Sequence, residues 1–191
     1  MSLARSTLMR AFGRPSGVLG RIGGLIMARS NRACAEWAFA LIEPREGDRI
    51  LEIGFGPGVA IELLAQGGKP GRVAGIDVSD EMVGQAKRRN AAAIAKGLVE
   101  LRQGSVDDLP YPDESFDKAL AINSMQAWPD TLAGLRETRR VLRPGGLLAL
   151  AFTPHSGQRP EGLTDKLAAA GFADARLARR DELFCVLGNR T

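Results

Sequence analysis

Ile50-Leu51-Glu52-Ile53-Gly54-Phe55-Gly56-Pro57-Gly58-Val59-Ala60-Ile61 is the stretch on which the fold turns. The apolar run before Gly54 is short and β-rich, which predicts a strand covered on both faces. Three glycines at alternate positions then keep side chains off the backbone, so a ligand can approach the main chain closely. From about Pro57 to Gln66 the pattern predicts a helix. Its first turn presents free N–H groups and a positive dipole end at the same spot. A strand, a glycine turn and a helix in that order predict a site for a polar, nucleotide-like ligand.

Spacing narrows the ligand. A dinucleotide fingerprint requires its third glycine where this chain has Val59, which disfavours a nicotinamide oxidoreductase. The glycines fall instead at 54, 56 and 58, with Glu52 inside the strand ahead of them. A second strand is expected over Arg72–Asp77, after the turn cluster at 67–71. Asp77 closes it, 23 residues after Gly54, close to the spacing at which an α/β fold sets an acid on a ribose diol. Ser79 is available to cap the next helix, which leaves Asp77 free for a ligand.

Composition bounds the remaining possibilities. A chain of 191 residues is most simply one domain, and 45% hydrophobic with 25% charged residues is ordinary for a globular protein. Aromatics make up only 5%, so aliphatic residues and alanine must build the core. Cys34 and Cys185 stand far apart with no metal-ligand spacing, and His155 is the sole histidine. Neither a metal site nor a disulfide framework is expected, and a reducing cytoplasm fits.

The charge is unevenly placed. Of 26 basic residues, six arginines lie within residues 1–35, where there is no acid, so the rest of the chain is slightly acidic overall. A nucleic-acid partner would require a basic face on the folded body and is not expected. Residues 1–29 read as a basic arm that folds over the domain and helps roof its pocket, with an organellar transit peptide or plain disorder as alternatives. No run there approaches the ~18 apolar residues of a membrane span. The folded domain is assigned to 30–191.

Beyond these strands the chain predicts a helix from Ser30 or Asn31 to about Ile42, with Trp37 packing it on the sheet. A helix over Ser79–Lys96 precedes an edge strand at Val99–Arg102. The proline- and acid-rich stretch 104–117 is a loop, followed by a strand over Phe116–Ile122. A helix near Asp130–Leu142, a turn at 143–146 and a strand over Leu147–Phe152 come next. His155 lies in a loop before a helix near Glu161–Ala170, and two strands, about Ala173–Ala178 and Leu183–Gly188, complete the chain.

The pattern E-x-G-x-G-x-G at 52–58 resembles motif I of class I S-adenosylmethionine-dependent methyltransferases. The order G-x-x-x-D-L-P-Y-P-D-x-S-F-D at 104–117, then R-V-L-R-P-G-G at 140–146, is similar to the methyltransferase type 11 group, which includes ubiquinone and menaquinone C-methyltransferases. That resemblance spans residues 48–152. It implies an α/β, Rossmann-like, doubly wound sheet of seven strands in the order 3-2-1-4-5-7-6, with the last strand antiparallel and helices on both faces.

It also implies S-adenosylmethionine as cofactor, S-adenosylhomocysteine as product, and SN2-like methyl transfer to an acceptor. The sequence leans toward a small-molecule acceptor. The implied cofactor residues are Glu52 near the ammonium, Gly54, Phe55, Gly56 and Gly58 along the amino-acid tail, Asp77, Val78 and Met82, Ser105 and Val106 at the adenine, and Asn123. Ser105 stands where the group commonly has an acid, so Asp107 is an alternative adenine contact. Gln126 and Trp128 are expected at the acceptor, with His155 as a candidate base. The segment Asn123-Ser124-Met125-Gln126 departs from the (D/N)PPY sequence of exocyclic-amine DNA methyltransferases, and no Pro-Cys nucleophile is present. A protein that binds the cofactor or a nucleoside without transferring a methyl group is the alternative reading.

Overall fold

The computed structural model describes residues 32–67 and 69–191. Residues 1–29, the proposed arm, and the expected caps Ser30 and Asn31 lie outside them. Helix α1 runs through 32–42. It is followed by β1 (Arg49–Ile53), α2 (Val59–Gln66), β2 (Arg72–Asp77), α3 (Asp80–Arg89), α4 (Ala91–Ala95) and β3 (Val99–Gln103). Then come β4 (Phe116–Ile122), α5 (Thr131–Val141), β5 (Leu142–Phe152), α6 (Leu163–Ala169), β6 (Phe172–Arg180) and β7 (Leu183–Arg190).

The seven strands form one sheet in the order β3-β2-β1-β4-β5-β7-β6. The first five are parallel, and β7 is antiparallel to both β5 and β6. Alternate residues of the central strands feed two cores, because strand side chains point to opposite faces. Leu51, Ile53, Ala119, Ala121, Leu148 and Leu150 pack on one face with α5 and α6. Ile50, Leu120, Ile122, Ala149 and Ala151 pack on the other with α1 and α2. Trp37 is buried there, as its place on α1 predicts. The near-continuous apolar strands are thus the signature of a sheet with no wet face.

Four boundaries differ from the sequence reading. Helix α2 starts at Val59 rather than Pro57, because Gly58 takes a left-handed conformation at φ 78° and serves as N-cap. The helix expected over 79–96 is broken at Asn90, whose buried side chain donates to the carbonyls of Gly58 and Ala86 at 3.1 and 3.0 Å. Strand β5 begins at Leu142, so the expected turn at 143–146 is instead a bulged strand start paired with Phe116. The final hairpin strands are also longer than expected, each extended by pairing with its neighbour.

Two polar anchors were not visible in the sequence. Lys118, buried on β4, donates its Nζ to the carbonyls of Ile42 and Glu43 and pairs with Asp48 at 3.3 Å. A cation at the carboxyl end of α1 satisfies carbonyls that the helix itself leaves open. Arg140 on α5 donates to the carbonyls of Leu109 and Tyr111 and to Asp113, at 2.8–3.0 Å. The two motif segments at 104–117 and 140–146 are therefore in contact, and Arg140 shapes the proline-rich loop. No described helix is long and apolar enough to cross a membrane.

Gly58 shows how tightly α2 and α3 meet. A methyl group on it would lie 2.7 Å from Ala86 Cβ and 2.8 Å from Asn90 Nδ2. Gly58→Ala adds this overpacking to left-handed strain and is expected to cost about 2–4 kcal/mol. Chemical unfolding tests this: an unchanged midpoint would refute the close contact.

Candidate active site

The sheet's carboxyl edge places the glycine turn beside the ends of β2, β4 and β5. Gly54, Gly56 and Gly58 all adopt positive φ, at 72°, 53° and 78°, but each has a different task. Gly54 donates its N–H to the Ile76 carbonyl at 2.8 Å and faces Ser124, whose Cβ would be 2.4 Å from a methyl group placed there. Gly56 donates to Asp77 Oδ2 at 2.8 Å. Gly58 lies against α3, where a side chain would meet Ala86 and Asn90, so its glycine admits the close approach of that helix.

A small cavity of about 30 Å³ sits at this turn, lined by Glu52, Gly54–Ala60 without Gly58, Ile122 and Asn123. Glu52 is only 2% exposed, and its Oε2 is buried with no hydrogen-bond partner. The backbone N–H of Ile61 on α2 bonds the carboxyl group. Burial first, and then the nearby Asp77, push Glu52 up to about 8 against the opposing effect of the Ile61 N–H. Asp77 is also raised by burial, against which the Ser79 and Gly56 N–H groups act. Its two oxygens divide those donors, Oδ1 accepting from Ser79 at 2.9 Å and Oδ2 from Gly56.

Ser79 Oγ caps α3 by accepting from Met82 N–H at 3.3 Å. Met82 is buried at 2% exposure, whereas Val78, the next residue after Asp77, is exposed. Ser105 is half-buried at the start of the loop after β3, Val106 is buried and Asp107 is exposed. These residues lie outside the small cavity at the turn; the Gly104 N–H donates to the Asp77 carbonyl at 3.0 Å and sets the loop after β3 beside the end of β2.

At the β4 end, Asn123 adopts φ 50°, a left-handed conformation that Asn tolerates better than most residues. Its side chain forms a reciprocal pair with the first residue after β5. Asn123 Nδ2 donates to Thr153 Oγ1 at 3.0 Å, and Thr153 N–H donates to Asn123 Oδ1 at 2.8 Å. Ser124 Oγ donates to the Ile53 carbonyl at 2.7 Å, tying the same loop to β1. Sequence reasoning missed Ser124 and Thr153; the available signal was their position beside Asn123 and at the end of the last parallel strand.

The two acceptor candidates and the candidate base stand in different settings. Gln126 is exposed, on the 3₁₀ turn Met125–Ala127, and donates back to the Asn123 carbonyl at 2.7 Å. The Trp128 ring packs on α5, where a methyl on Gly134 would lie 2.8 Å from its Cε3 and 2.9 Å from Val106 Cγ1. That indole is a wedge between α5 and the loop after β3, and its buried Nε1 has no partner. His155 is exposed on the turn Pro154–Ser156 after β5.

The donor set fits the cofactor implied by the resemblance. An orphaned, buried carboxyl oxygen facing a cavity suits an ammonium group, since a buried polar atom otherwise goes unpaired at a cost. Asp77 keeps lone pairs beyond its two backbone bonds, which suits the hydroxyls of a ribose. Among the described residues, no three His, Cys, Asp or Glu side chains converge as metal ligands.

Comparison with known proteins agrees with this chemistry. Residues 51–150 match the family described as Methyltransferase domain. The chain is 33% identical over 162 residues to methyltransferase YdaC of Bacillus subtilis, covering 85% of this chain and 87% of that protein. It is 32% identical over 112 residues to the demethylmenaquinone methyltransferase of Desulfitobacterium hafniense, covering 58% of this chain and 44% of that one. An S-adenosylmethionine-dependent methyltransferase structure from Aquifex aeolicus superposes with a TM-score of 0.72 at 23% identity, over 85% of this chain and 93% of that chain.

Ser124→Ala removes the bond that closes the β4 loop onto β1. The expected loss of stability is about 1 kcal/mol. Urea unfolding would show it as a lowered midpoint with an unchanged slope, and an unaltered midpoint would count against this latch.

Proposed function

The chain belongs to the methyltransferase domain family and is an S-adenosylmethionine-dependent methyltransferase; from that premise we propose that it methylates a small molecule. The observation that carries the site assignment is the pair of buried carboxyl groups, Glu52 and Asp77, on either side of a left-handed glycine turn. We assign Glu52 to the cofactor's ammonium and Asp77 to its ribose hydroxyls. The main chain at Gly54, Phe55 and Gly56 receives the amino-acid tail. Val78 and Met82, together with Ser105 and the Val106 N–H, receive the nucleoside. Asn123 borders the methionine end.

When bound, S-adenosylmethionine supplies a methyl group on an already activated sulfonium. What the chain contributes is alignment of donor and acceptor for an SN2-like displacement, which needs little more than orientation and exclusion of competing poses. The loop after β4 is suited to this, because Asn123 and Ser124 tie it to β5 and β1. Gln126 and the Trp128 wedge border the acceptor in this reading. His155, exposed on the turn after β5, is the proposed base where the acceptor must lose a proton. The reading assigns no role to a metal.

A small-molecule acceptor is supported by the relative named for demethylmenaquinone, of which this chain spans under half. The slightly acidic balance of the sequence outside its first 35 residues also argues against a nucleic-acid partner. We further assign residues 30–191 to the catalytic domain and 1–29 to an arm over the acceptor pocket. The arm's five arginines and lack of acids support that division. Two buried, unbridged thiols accord with a cytoplasmic location.

Asp77→Ala is expected to weaken S-adenosylhomocysteine binding tenfold or more, since about 1.4 kcal/mol corresponds to a factor of ten. Titration calorimetry on the wild type and the variant measures this directly, and equal affinities remove Asp77 from the site. A screen of candidate acceptors for S-adenosylhomocysteine release then identifies the methylated class; activity on nucleic acid alone would overturn the small-molecule assignment.

A further inference from the structure

Glu52 and Asp77 are both buried, at the carboxyl ends of adjacent parallel strands, but they are not equivalently supported. Asp77 has a backbone donor for each oxygen, from Ser79 and from Gly56. Glu52 is bonded by the Ile61 N–H alone, and its Oε2 has no partner although it is buried at the cavity. The elements around it bring no cation among the described residues. Its own strand continues into Gly54, Phe55, Gly56 and Pro57, α2 contributes Val59, Ala60 and Ile61, and β4 contributes Ile122 and Asn123. The charged group acting on Glu52 is Asp77 on β2, of the same sign.

A buried carboxylate with one oxygen unpaired, beside a second carboxylate, is the costly arrangement; a neutral acid is the cheaper one. Of the two groups, Asp77 has the donors to keep its charge and Glu52 does not. We propose that Glu52 is a neutral carboxylic acid in the cofactor-free protein and releases its proton when the cofactor's ammonium group enters the cavity. The O–H bond of Glu52 breaks, the proton passes to solvent, and the resulting carboxylate pairs with the incoming ammonium. One positive charge leaves the cavity as another arrives, so the local charge is conserved. This inference rests on the assignment of Glu52 to the cofactor's ammonium.

The direction of the pH dependence follows from burial, which pushes Glu52 up to about 8. The folded, cofactor-free protein then binds this proton more tightly than the unfolded chain does. Its stability from Glu52 is full below the ordinary carboxylate range, declines as pH rises toward 8, and is lost above it. Cofactor affinity runs the other way, rising by at most about tenfold per pH unit over that window. Above about pH 8 the rise ends, because Glu52 is by then already ionised and the ligand's own α-amino group begins to lose its proton.

Two measurements on the full chain test this. Titration calorimetry with S-adenosylhomocysteine near pH 6.5, in buffers of different ionisation enthalpy, is expected to show close to one proton released per ligand bound. Glu52→Gln, which has no proton to give, is expected to abolish that release and to flatten the pH dependence of the dissociation constant. Wild-type binding without proton release overturns the coupling. The second measurement needs no ligand: the thermal midpoint of the wild type is expected to fall relative to Glu52→Gln as pH rises from 5 to 8. Parallel midpoints overturn the stored proton. Absence of S-adenosylhomocysteine binding to the wild type overturns the cofactor assignment and the coupling with it, while the ligand-free arm still judges the protonation of Glu52 by itself.

Discussion

The Asp77 carboxylate joins three parts of the molecule: the end of β2, the glycine turn and the start of α3. One oxygen takes the Gly56 N–H from the glycine turn, and the other takes the Ser79 N–H at the start of α3. Both donors are backbone groups freed by left-handed or extended geometry and shielded from water, so leaving either unpaired would carry a desolvation cost. The turn can therefore keep three positive-φ glycines in a row of alternate positions without collapsing. Its shape depends on an acid 21 residues further along the chain. That same acid remains accessible enough, at 9% exposure, to serve a ligand.

A matching set of bonds steadies the opposite side. Ser124 reaches the last carbonyl of β1, Gly54 has no side chain to obstruct it, and Asn123 exchanges two hydrogen bonds with Thr153. The ends of β1, β4 and β5 thus share one polar seam, and the turns bearing Gln126 and His155 leave from it. Methyl transfer from an activated sulfonium asks mainly for alignment, which is what a cross-braced rim can supply. At the far end of the sheet, Lys118 does comparable work by tying α1 to β4.

Much of this was legible before any coordinates. The apolar runs of β1, β2, β4 and β5 announced a sheet covered on both faces, because a parallel sheet buried twice over has no polar side to show. The strand order and the antiparallel β7 followed from the resemblance and match the structure. The break at Asn90 did not announce itself, since the helical pattern continues through it; only the approach of Gly58 explains why an asparagine there bonds sideways and stops α3. The packing of the Trp128 ring on Gly134 of α5 was likewise not legible, because that contact is set by tertiary packing rather than by local spacing.

The sequence by itself determined the order of the elements, a site for a nucleotide-like ligand and the two acids that flank the glycine turn, while the resemblance implied the class of cofactor. Those are local properties, written in periodicity, in residues that tolerate positive φ and in motif spacing. Tertiary structure decided which glycine does what: Gly54 clears Ser124, Gly56 donates to Asp77, and Gly58 admits α3. It also decided that Asp77 has a backbone donor for each oxygen while Glu52 is left with a buried, unpaired oxygen. Nothing in a string of residues distinguishes two acids in that way, because the difference lies in which backbone groups the fold turns toward each one.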